Sequence, residues 1–205
     1  MYDILNLYNE QYDPMKPVIG LDEKSKQLIE DKRRPIPMKP GSVERYDYEY
    51  VRRGTANIFV VVEPKGGKRI TLVTAQRTKR DFAFFLRDIV DKHYPHVKLL
   101  RIVLDNLNTH NQSSLYENFG EEEAQRILRR IEFHYTPKHA SWLNVAEIEI
   151  GVMDIECTDR RIKNIEMLAK EVDAWAARRN EQRKTIVWAF TKERADKKLG
   201  AYYVS

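Results

Sequence analysis

The chain has 205 residues, which is long enough for one well-buried domain and hardly for two. Hydrophobic residues make up 42% of it and charged residues 33%, as in a soluble globular protein with a crowded charged surface. The 36 Lys and Arg residues exceed the 31 Asp and Glu residues, so the net charge is +5, which is compatible with a polyanionic partner.

The cysteine content and the hydropathy exclude several classes of protein. The single cysteine, Cys157, excludes an internal disulfide and a cysteine-based zinc site, and it fits a reducing compartment. No stretch approaches the roughly 20 apolar residues of a membrane span. The N-terminus has no basic region followed by an apolar core, so it is not a signal peptide. We therefore expect a cytoplasmic protein without a membrane partner.

The first part of the chain predicts little regular structure. Residues 1–17 are rich in tyrosine and end in Met-Lys-Pro, which indicates a connector leading into a domain. Residues 18–21 (VIGL) predict a short buried strand that is closed by Asp22 and Glu23. Residues 31–42 contain three prolines among basic side chains and predict an exposed, extended loop.

The next segment predicts a hairpin followed by a helix. Residues 57–63 and 69–74 have the apolar pattern of strands and flank a Pro-Lys-Gly-Gly turn. Thr78 and Asp81 are a capping pair for the helix that follows. The apolar residues of this helix recur at intervals of three and four and form one face, namely Phe82, Phe85, Leu86, Ile89 and Val90.

The second half alternates strands and helices. Residues 99–104 are apolar at nearly every position, as in a central strand covered on both faces. Residues 121–130 predict a short helix with acids at its start and bases at its end, residues 131–135 a strand, and residues 164–182 a long helix. The pattern of residues 142–157 is mixed, but their length favours a helix. This order predicts an α/β domain, in which helices cover both faces of a mixed sheet.

Three carboxylates are candidate metal ligands in this arrangement. Asp22 and Asp105 each close an apolar strand, and acidic residues at the ends of neighbouring strands can share a divalent cation. Mg²⁺ prefers oxygen ligands, and two such ions can stabilise the attacking and leaving oxygens of a phosphoryl transfer. Glu147 is the candidate third ligand, because an unpaired carboxylate in its mostly apolar segment would be costly.

Each of these residues also has a plainer interpretation. An aspartate at a strand end is commonly a turn or cap residue, which applies to Asp105 and still more to Asp22. Glu149 and Asp154 compete with Glu147 on the same segment, and spacing does not separate the three. Pattern and composition leave both interpretations open.

Several longer sequence motifs resemble those of a known family. The densest are LDEKSKQLI at 21–29, ERYDYEYVRRGTANIFVVVEP at 44–64, VLDNLNTH at 103–110 and YTPKHASWLNVAEIE at 135–149. In this order they resemble the catalytic domain of transposases of the IS630 family, within the IS630/Tc1/mariner superfamily. The resemblance covers nearly the whole chain.

This resemblance implies an RNase H-like domain over residues 18–205 with a DDE catalytic triad. By position in the family's words, the triad is Asp22 of LDE, Asp105 of DN-x-x-x-H and Glu147 of N-x-x-E. These residues would bind Mg²⁺ or Mn²⁺, with two ions expected. The implied reaction is cleavage of DNA by water at transposon ends, followed by attack of the freed 3′-hydroxyl on target DNA. The implied partners are transposon-end and target DNA, with a second copy of the chain in the active complex at the nucleoid.

Further residues near these words are candidate contacts to nucleic acid, since phosphate contacts dominate such interfaces. They are Asn106, His110, Lys138, His139, Arg33 and Arg34. For Asn106 and His110, which follow Asp105, a role in the turn is an equally good alternative.

Members of the family usually carry N-terminal helix-turn-helix domains, and residues 1–17 are too short to hold one. We therefore expect a catalytic fragment or a truncated gene product. The alternatives to a transposase are a non-mobile DNA-binding remnant and an RNase H-like nuclease with another substrate. The complete triad favours an enzyme over a remnant, and the WLN and DNLNTH words favour a transposase over other nucleases.

Overall fold

The computed structural model of the chain describes residues 1–105 and 111–203, and only the backbone of 198–203. The strands of this part are β1 (Val18–Asp31), β2 (Tyr50–Glu63), β3 (Lys68–Thr74), β4 (Leu100–Leu104) and β5 (Ile131–Tyr135). The helices are α1 (Tyr2–Asn9), α2 (Lys79–Asp88), α3 (Ser113–Phe119), α4 (Glu121–Leu128), α5 (Val145–Met153), α6 (Ile165–Glu181) and α7 (Lys192–Tyr203). Short helical turns extend α2 and flank α5, at Ile89–His93, Ser141–Leu143 and Asp154–Thr158.

The described strands form one mixed sheet in the order β3-β2-β1-β4-β5. β2 is antiparallel to β1 and to β3, whereas β4 is parallel to β1 and to β5. The predicted mixed α/β sheet is therefore confirmed, and so is the hairpin between β2 and β3.

Helices cover both faces of this sheet. The buried residues of α2, α3 and α4 share one core with Ile19 and Leu21 of β1. On the other face, α6 and the end of α5 pack against Ile58 and Val60 of β2, while α1 packs against the start of α5. Because side chains alternate along a strand, Gly20 and Asp22 of β1 belong to the opposite face, which α5 covers.

β1 is longer than the sequence predicted. It continues past Leu21 to Asp31, and Asp22 pairs with Val60 inside the β1–β2 ladder. The prediction that Asp22 closes a strand is therefore wrong. The second half of β1 has few buried side chains and is held in place by backbone pairing with β2. Its polar sequence therefore lacks the apolar pattern that predicts a strand. The pairing with β4, in contrast, is last recorded at Gly20.

Three helices occur where the sequence predicted none, namely α1, α3 and α7. α1 lies within the predicted connector and buries four side chains against the domain, Ile4, Leu5, Leu7 and Tyr8. The hydroxyl of Tyr2 in α1 donates a hydrogen bond to Asp196 in α7. Both helices are therefore packed parts of the folded chain.

The remaining helices were predicted, and side-chain caps explain where α2, α5 and α6 begin. Thr78 accepts a hydrogen bond from the N–H of Asp81, whose carboxylate accepts from the N–H of Thr78 at 2.9 Å. Asn164 caps α6 by accepting from the N–H of Met167 at 2.9 Å. None of the helices in the described residues combines the length and the apolar character needed to cross a membrane.

Candidate active site

The parallel pairing of β1 and β4 brings Asp22 and Asp105 to the same level of the sheet. The last recorded pair joins Gly20 to Val103, and Asp22 and Asp105 each follow two residues after this pair. Asp105 directly follows β4, as predicted, and both aspartates are partly exposed. Since side chains alternate along a strand, both belong to the face that α5 covers.

The third predicted acid, Glu147, lies in the first turn of α5 and is exposed. Burial raises the pKa of Asp22 from its usual 3.8 to about 7, although the N–H of Glu23 donates a hydrogen bond to Asp22 at 2.8 Å and opposes this shift. The carboxylates of Asp105, Glu23 and Glu147 raise the same pKa further by repulsion. Asp105 and Glu147 therefore both lie close enough to Asp22 to repel its negative charge.

The start of α5 lies directly on β1. A Cβ atom at Gly20 would stand 2.6 Å from Cγ1 of Val145 and 2.9 Å from the nitrogen of Ala146, so only glycine fits there. The fully buried Asn144 accepts a hydrogen bond from the N–H of Ala146 at 3.1 Å and donates one from Nδ2 to the carbonyl of Leu21 at 2.8 Å. Asn144 thus joins the helix that carries Glu147 to the residue before Asp22.

The surroundings of the acids on this segment differ. Glu149 is buried, and its two carboxylate oxygens each lie 2.9 Å from a guanidinium nitrogen of Arg69. Arg179 approaches the same carboxylate at 2.5 Å. Asp154 is paired with a lysine of β1. Glu147 has no ion pair in the part of the chain that the structure describes, so its charge is not neutralised by the fold.

The carboxylates of Asp22, Asp105 and Glu147 are chemically suitable ligands for a divalent cation. Carboxylate oxygens are the ligands that Mg²⁺ and Mn²⁺ accept, and an ion between Asp22, Asp105 and Glu147 would relieve the repulsion among them. Within residues 1–105 and 111–203, no three His, Cys, Asp or Glu side chains are already gathered at the spacing of metal ligands. Side-chain rearrangement would therefore accompany binding of an ion.

Two of the predicted contacts to nucleic acid lie near the same edge of the sheet. The N–H of Thr136 donates to the carbonyl of Leu104 at 2.9 Å, which places the end of β5 beside the end of β4. Lys138 and His139 follow Thr136 and are both exposed. Asn106 and His110 lie outside the described residues.

The two predicted contacts on the proline-rich loop, Arg33 and Arg34, differ in their ion pairs. The guanidinium of Arg33 pairs with Asp47 at 2.6 Å and with Glu49 at 3.3 Å. Arg34 is exposed, and the described residues offer it no ion pair. The charge of Arg33 is therefore partly used within the loop.

Sequence reasoning missed Tyr8 at this site. Tyr8 of α1 accepts a hydrogen bond from the N–H of Val145 at 3.2 Å and donates one to the carbonyl of Leu143 at 3.0 Å. The contact spans 137 positions, so no local pattern signals it. Sequence reasoning also missed the capping role of Asn144, although an Asn directly before an apolar helical segment is a local signal of an N-cap.

Comparisons with known proteins relate the chain to a sequence family and to a fold. The sequence family described as DDE superfamily endonuclease matches residues 17–169. The crystal structure of the Mos1 mariner paired end complex with Mn is similar with a TM-score of 0.52 and 17% identity, over 89% of this chain and 54% of that chain. The mariner Mos1 paired end complex with Mg gives a TM-score of 0.49 and 14% identity, over 97% and 59%. Among curated proteins, no match was found.

The chain spans little more than half the length of these solved chains. The similarity to the first of them shows the fold, which is the RNase H-like architecture of transposase catalytic domains, as the resemblance in sequence implied. The family match extends over most of the chain and includes all three acids. The chain therefore belongs to the DDE superfamily endonuclease family.

Proposed function

We propose that the chain is the catalytic domain of an IS630-type transposase, which cleaves DNA at transposon ends and transfers the freed strand in a metal-dependent reaction. The observation that carries the proposal is the convergence of three elements: β1 and β4 pair in parallel up to two residues before Asp22 and Asp105, and the start of α5, which carries Glu147, packs on β1. Membership of an endonuclease family supports cleavage of nucleic acid.

The three acids have distinct roles in this proposal. One or two divalent ions, when bound, would activate the attacking water and stabilise the leaving oxygen. Asp105 is a ligand at the tip of a rigid central strand, and Asp22 is a ligand that loses its proton as cations approach. Glu147 completes the set from the helix. No serine, tyrosine or cysteine nucleophile is needed, since water and then a DNA hydroxyl attack the phosphate.

The solved complexes support the choice of ion and substrate. The Mos1 complexes were solved with Mn, with Mg and with a left transposon end. We extend these to the present chain as Mg²⁺ or Mn²⁺ and a transposon-end DNA, with a second copy of the chain in the active complex. The described residues that we propose as phosphate contacts are Lys138, His139, Arg33 and Arg34, and Asn106 and His110 are proposed from the sequence alone.

The test is a nicking and strand-transfer assay on plasmid DNA, with Mg²⁺ or Mn²⁺ and with EDTA. We expect metal-dependent nicks by the wild-type chain and none by Asp105→Asn, because the variant lacks one ligand. Transfer of a labelled oligonucleotide with a free 3′-hydroxyl separates a transposase from a simple nuclease.

Each other outcome has its own meaning. Cleavage that survives in Asp105→Asn would show that the site is assigned wrongly. A wild-type chain that binds DNA but neither binds metal nor cuts would be a DNA-binding remnant. Cleavage confined to RNA in an RNA–DNA hybrid would identify an RNase H-like nuclease with another substrate.

A further inference from the structure

The first-turn N–H groups of α5 are used to hold the helix in place. The N–H groups at the start of a helix have no partner within it. Here the N–H of Val145 donates to the hydroxyl of Tyr8 at 3.2 Å, and the N–H of Ala146 donates to Oδ1 of Asn144 at 3.1 Å. The N–H of Glu147 donates to the carbonyl of Asn144 at 3.1 Å. Protein groups therefore satisfy the whole first turn up to Glu147.

The side chains of Asn144 and Tyr8, which accept these hydrogen bonds, also donate hydrogen bonds. Nδ2 of Asn144 donates to the carbonyl of Leu21 in β1 at 2.8 Å, and the hydroxyl of Tyr8 donates to the carbonyl of Leu143 at 3.0 Å. Both residues are buried, at 0% and 4% exposure, so water cannot replace these bonds. Each side chain thus links the helix start to a second segment.

Tyr8 is positioned by contacts outside α5. Its ring lies 4.8 Å from the ring of Trp188, measured between centroids, in a core that α1 shares with the start of α5. The hydroxyl is therefore presented to α5 by α1 and by the segment that precedes α7. A change in α1 would be transmitted to the first turn of α5.

We propose that Asn144 and Tyr8 are positioning residues, which fix the first turn of α5 on β1 and α1 and so hold the carboxylate of Glu147 at the metal site. The inference rests on the proposed function, because its consequence is expressed in metal binding and cleavage. Neither residue is catalytic, since their polar atoms bond to the protein itself.

The sharpest test compares Tyr8→Phe with Tyr94→Phe. Each variant removes one buried hydroxyl and keeps its ring, and Tyr94 donates to Glu63 at 2.8 Å within the core on the opposite face of the sheet. We expect Tyr8→Phe to weaken Mn²⁺ binding by about 10-fold or more, as groups that orient metal ligands commonly do when removed. We expect Tyr94→Phe to lower the melting temperature while leaving Mn²⁺ affinity unchanged. Isothermal titration with Mn²⁺, well below both melting temperatures, measures this.

A second variant separates helix capping from the link to β1. Serine is a good N-cap but is too short to reach the carbonyl of Leu21, so Asn144→Ser keeps α5 capped and removes the link. We expect faster amide exchange in the first turn of α5 and weaker Mn²⁺ binding in both Asn144→Ser and Tyr8→Phe, with parallel losses in cleavage.

Unchanged Mn²⁺ affinity in both variants would overturn the inference, and so would first-turn exchange equal to that of the wild type. If the wild-type chain itself binds no Mn²⁺, the proposed function fails and the metal role of these residues fails with it. Amide exchange would then still report whether Tyr8 and Asn144 hold the turn, so the two failures are distinguishable.

Discussion

Glu147 and Glu149 lie two positions apart on one helix and have opposite surroundings. Glu149 is buried between Arg69 and Arg179, whereas Glu147 is exposed in the first turn beside Asp22. Spacing in the sequence could not separate the two glutamates, because Arg69, which pairs with Glu149, is 80 positions away. Only the resemblance to a family assigned the role to Glu147, and the buried ion pair now explains why Glu149 serves the fold.

We predict opposite effects of matched substitutions at these two positions. Glu149→Gln leaves two guanidinium groups without a buried carboxylate, which should lower the free energy of unfolding by about 3–5 kcal/mol. Glu147→Gln should change it by less than about 0.5 kcal/mol, as at an exposed position, and should abolish DNA nicking. Thermal unfolding and the nicking assay measure the two effects. Equal losses of stability would contradict the structure.

Asp22 predicts a pH dependence of stability in the absence of metal. Its pKa in the folded chain is about 7 against 3.8 ordinarily, so between these values the folded state binds the proton more tightly than the unfolded state. Folding is therefore destabilised as the pH rises through this window, by at most about 4 kcal/mol and by less where water screens the charge.

Asp22→Asn removes this effect and provides the measurement. In EDTA, the melting temperature of the variant should exceed that of the wild type at pH 8, and the difference should shrink towards pH 4. A difference that is constant with pH would show that the raised pKa of Asp22 is not its cause.

At the scale of the elements, local signals predicted some parts and missed others. The glycine turn between β2 and β3 and the caps of α2 and α6 are local, and those elements form where they were expected, except that β2 begins at Tyr50 and not at residue 57. The second half of β1 is held by backbone pairing with β2. α1 is eight residues long and depends on tertiary packing for its stability, so a short local pattern did not reveal it.

The contact between β1 and α5 predicts the effect of a single methyl group. Gly20→Ala would force Val145 and Asn144 away from β1, and such overpacking should cost about 1–3 kcal/mol and reduce cleavage. Gly151→Ala on the same helix is the matched control, since nothing lies within 4 Å of its Cβ position. It should stabilise the chain by about 0.5–1 kcal/mol, as alanine does inside a helix. Chemical unfolding of both variants, with nicking assays, distinguishes steric displacement from a general effect of alanine.

At the scale of the whole molecule, the candidate site unites segments that are distant in sequence. Asp22, Asp105 and Glu147 belong to three separate elements, and α1 and α7 meet on the face of the sheet that carries them. An ion that binds only this assembled arrangement stabilises the folded chain by mass action.

We therefore predict that Mn²⁺ raises the melting temperature. At 100 times its dissociation constant the gain is about 2.7 kcal/mol, or on the order of 5–10 °C for a chain of this size. Asp105→Asn should show little of this shift, because one ligand is missing. A thermal shift titration measures both, and an equal shift in the variant would indicate that the ion binds elsewhere.

The register of β1 against β4 determines when during folding the three acids come together. A slip of one residue would turn Asp22 to the opposite face of the sheet and separate it from Asp105. A chain still emerging from the ribosome, with Glu147 not yet made, has no complete set of acids. Parallel pairing of distant segments is also slow to form. Under the proposed function, cleavage therefore begins only when the fold is complete, because the three acids meet only after the parallel pairing of β1 with β4 and the docking of α5 on β1.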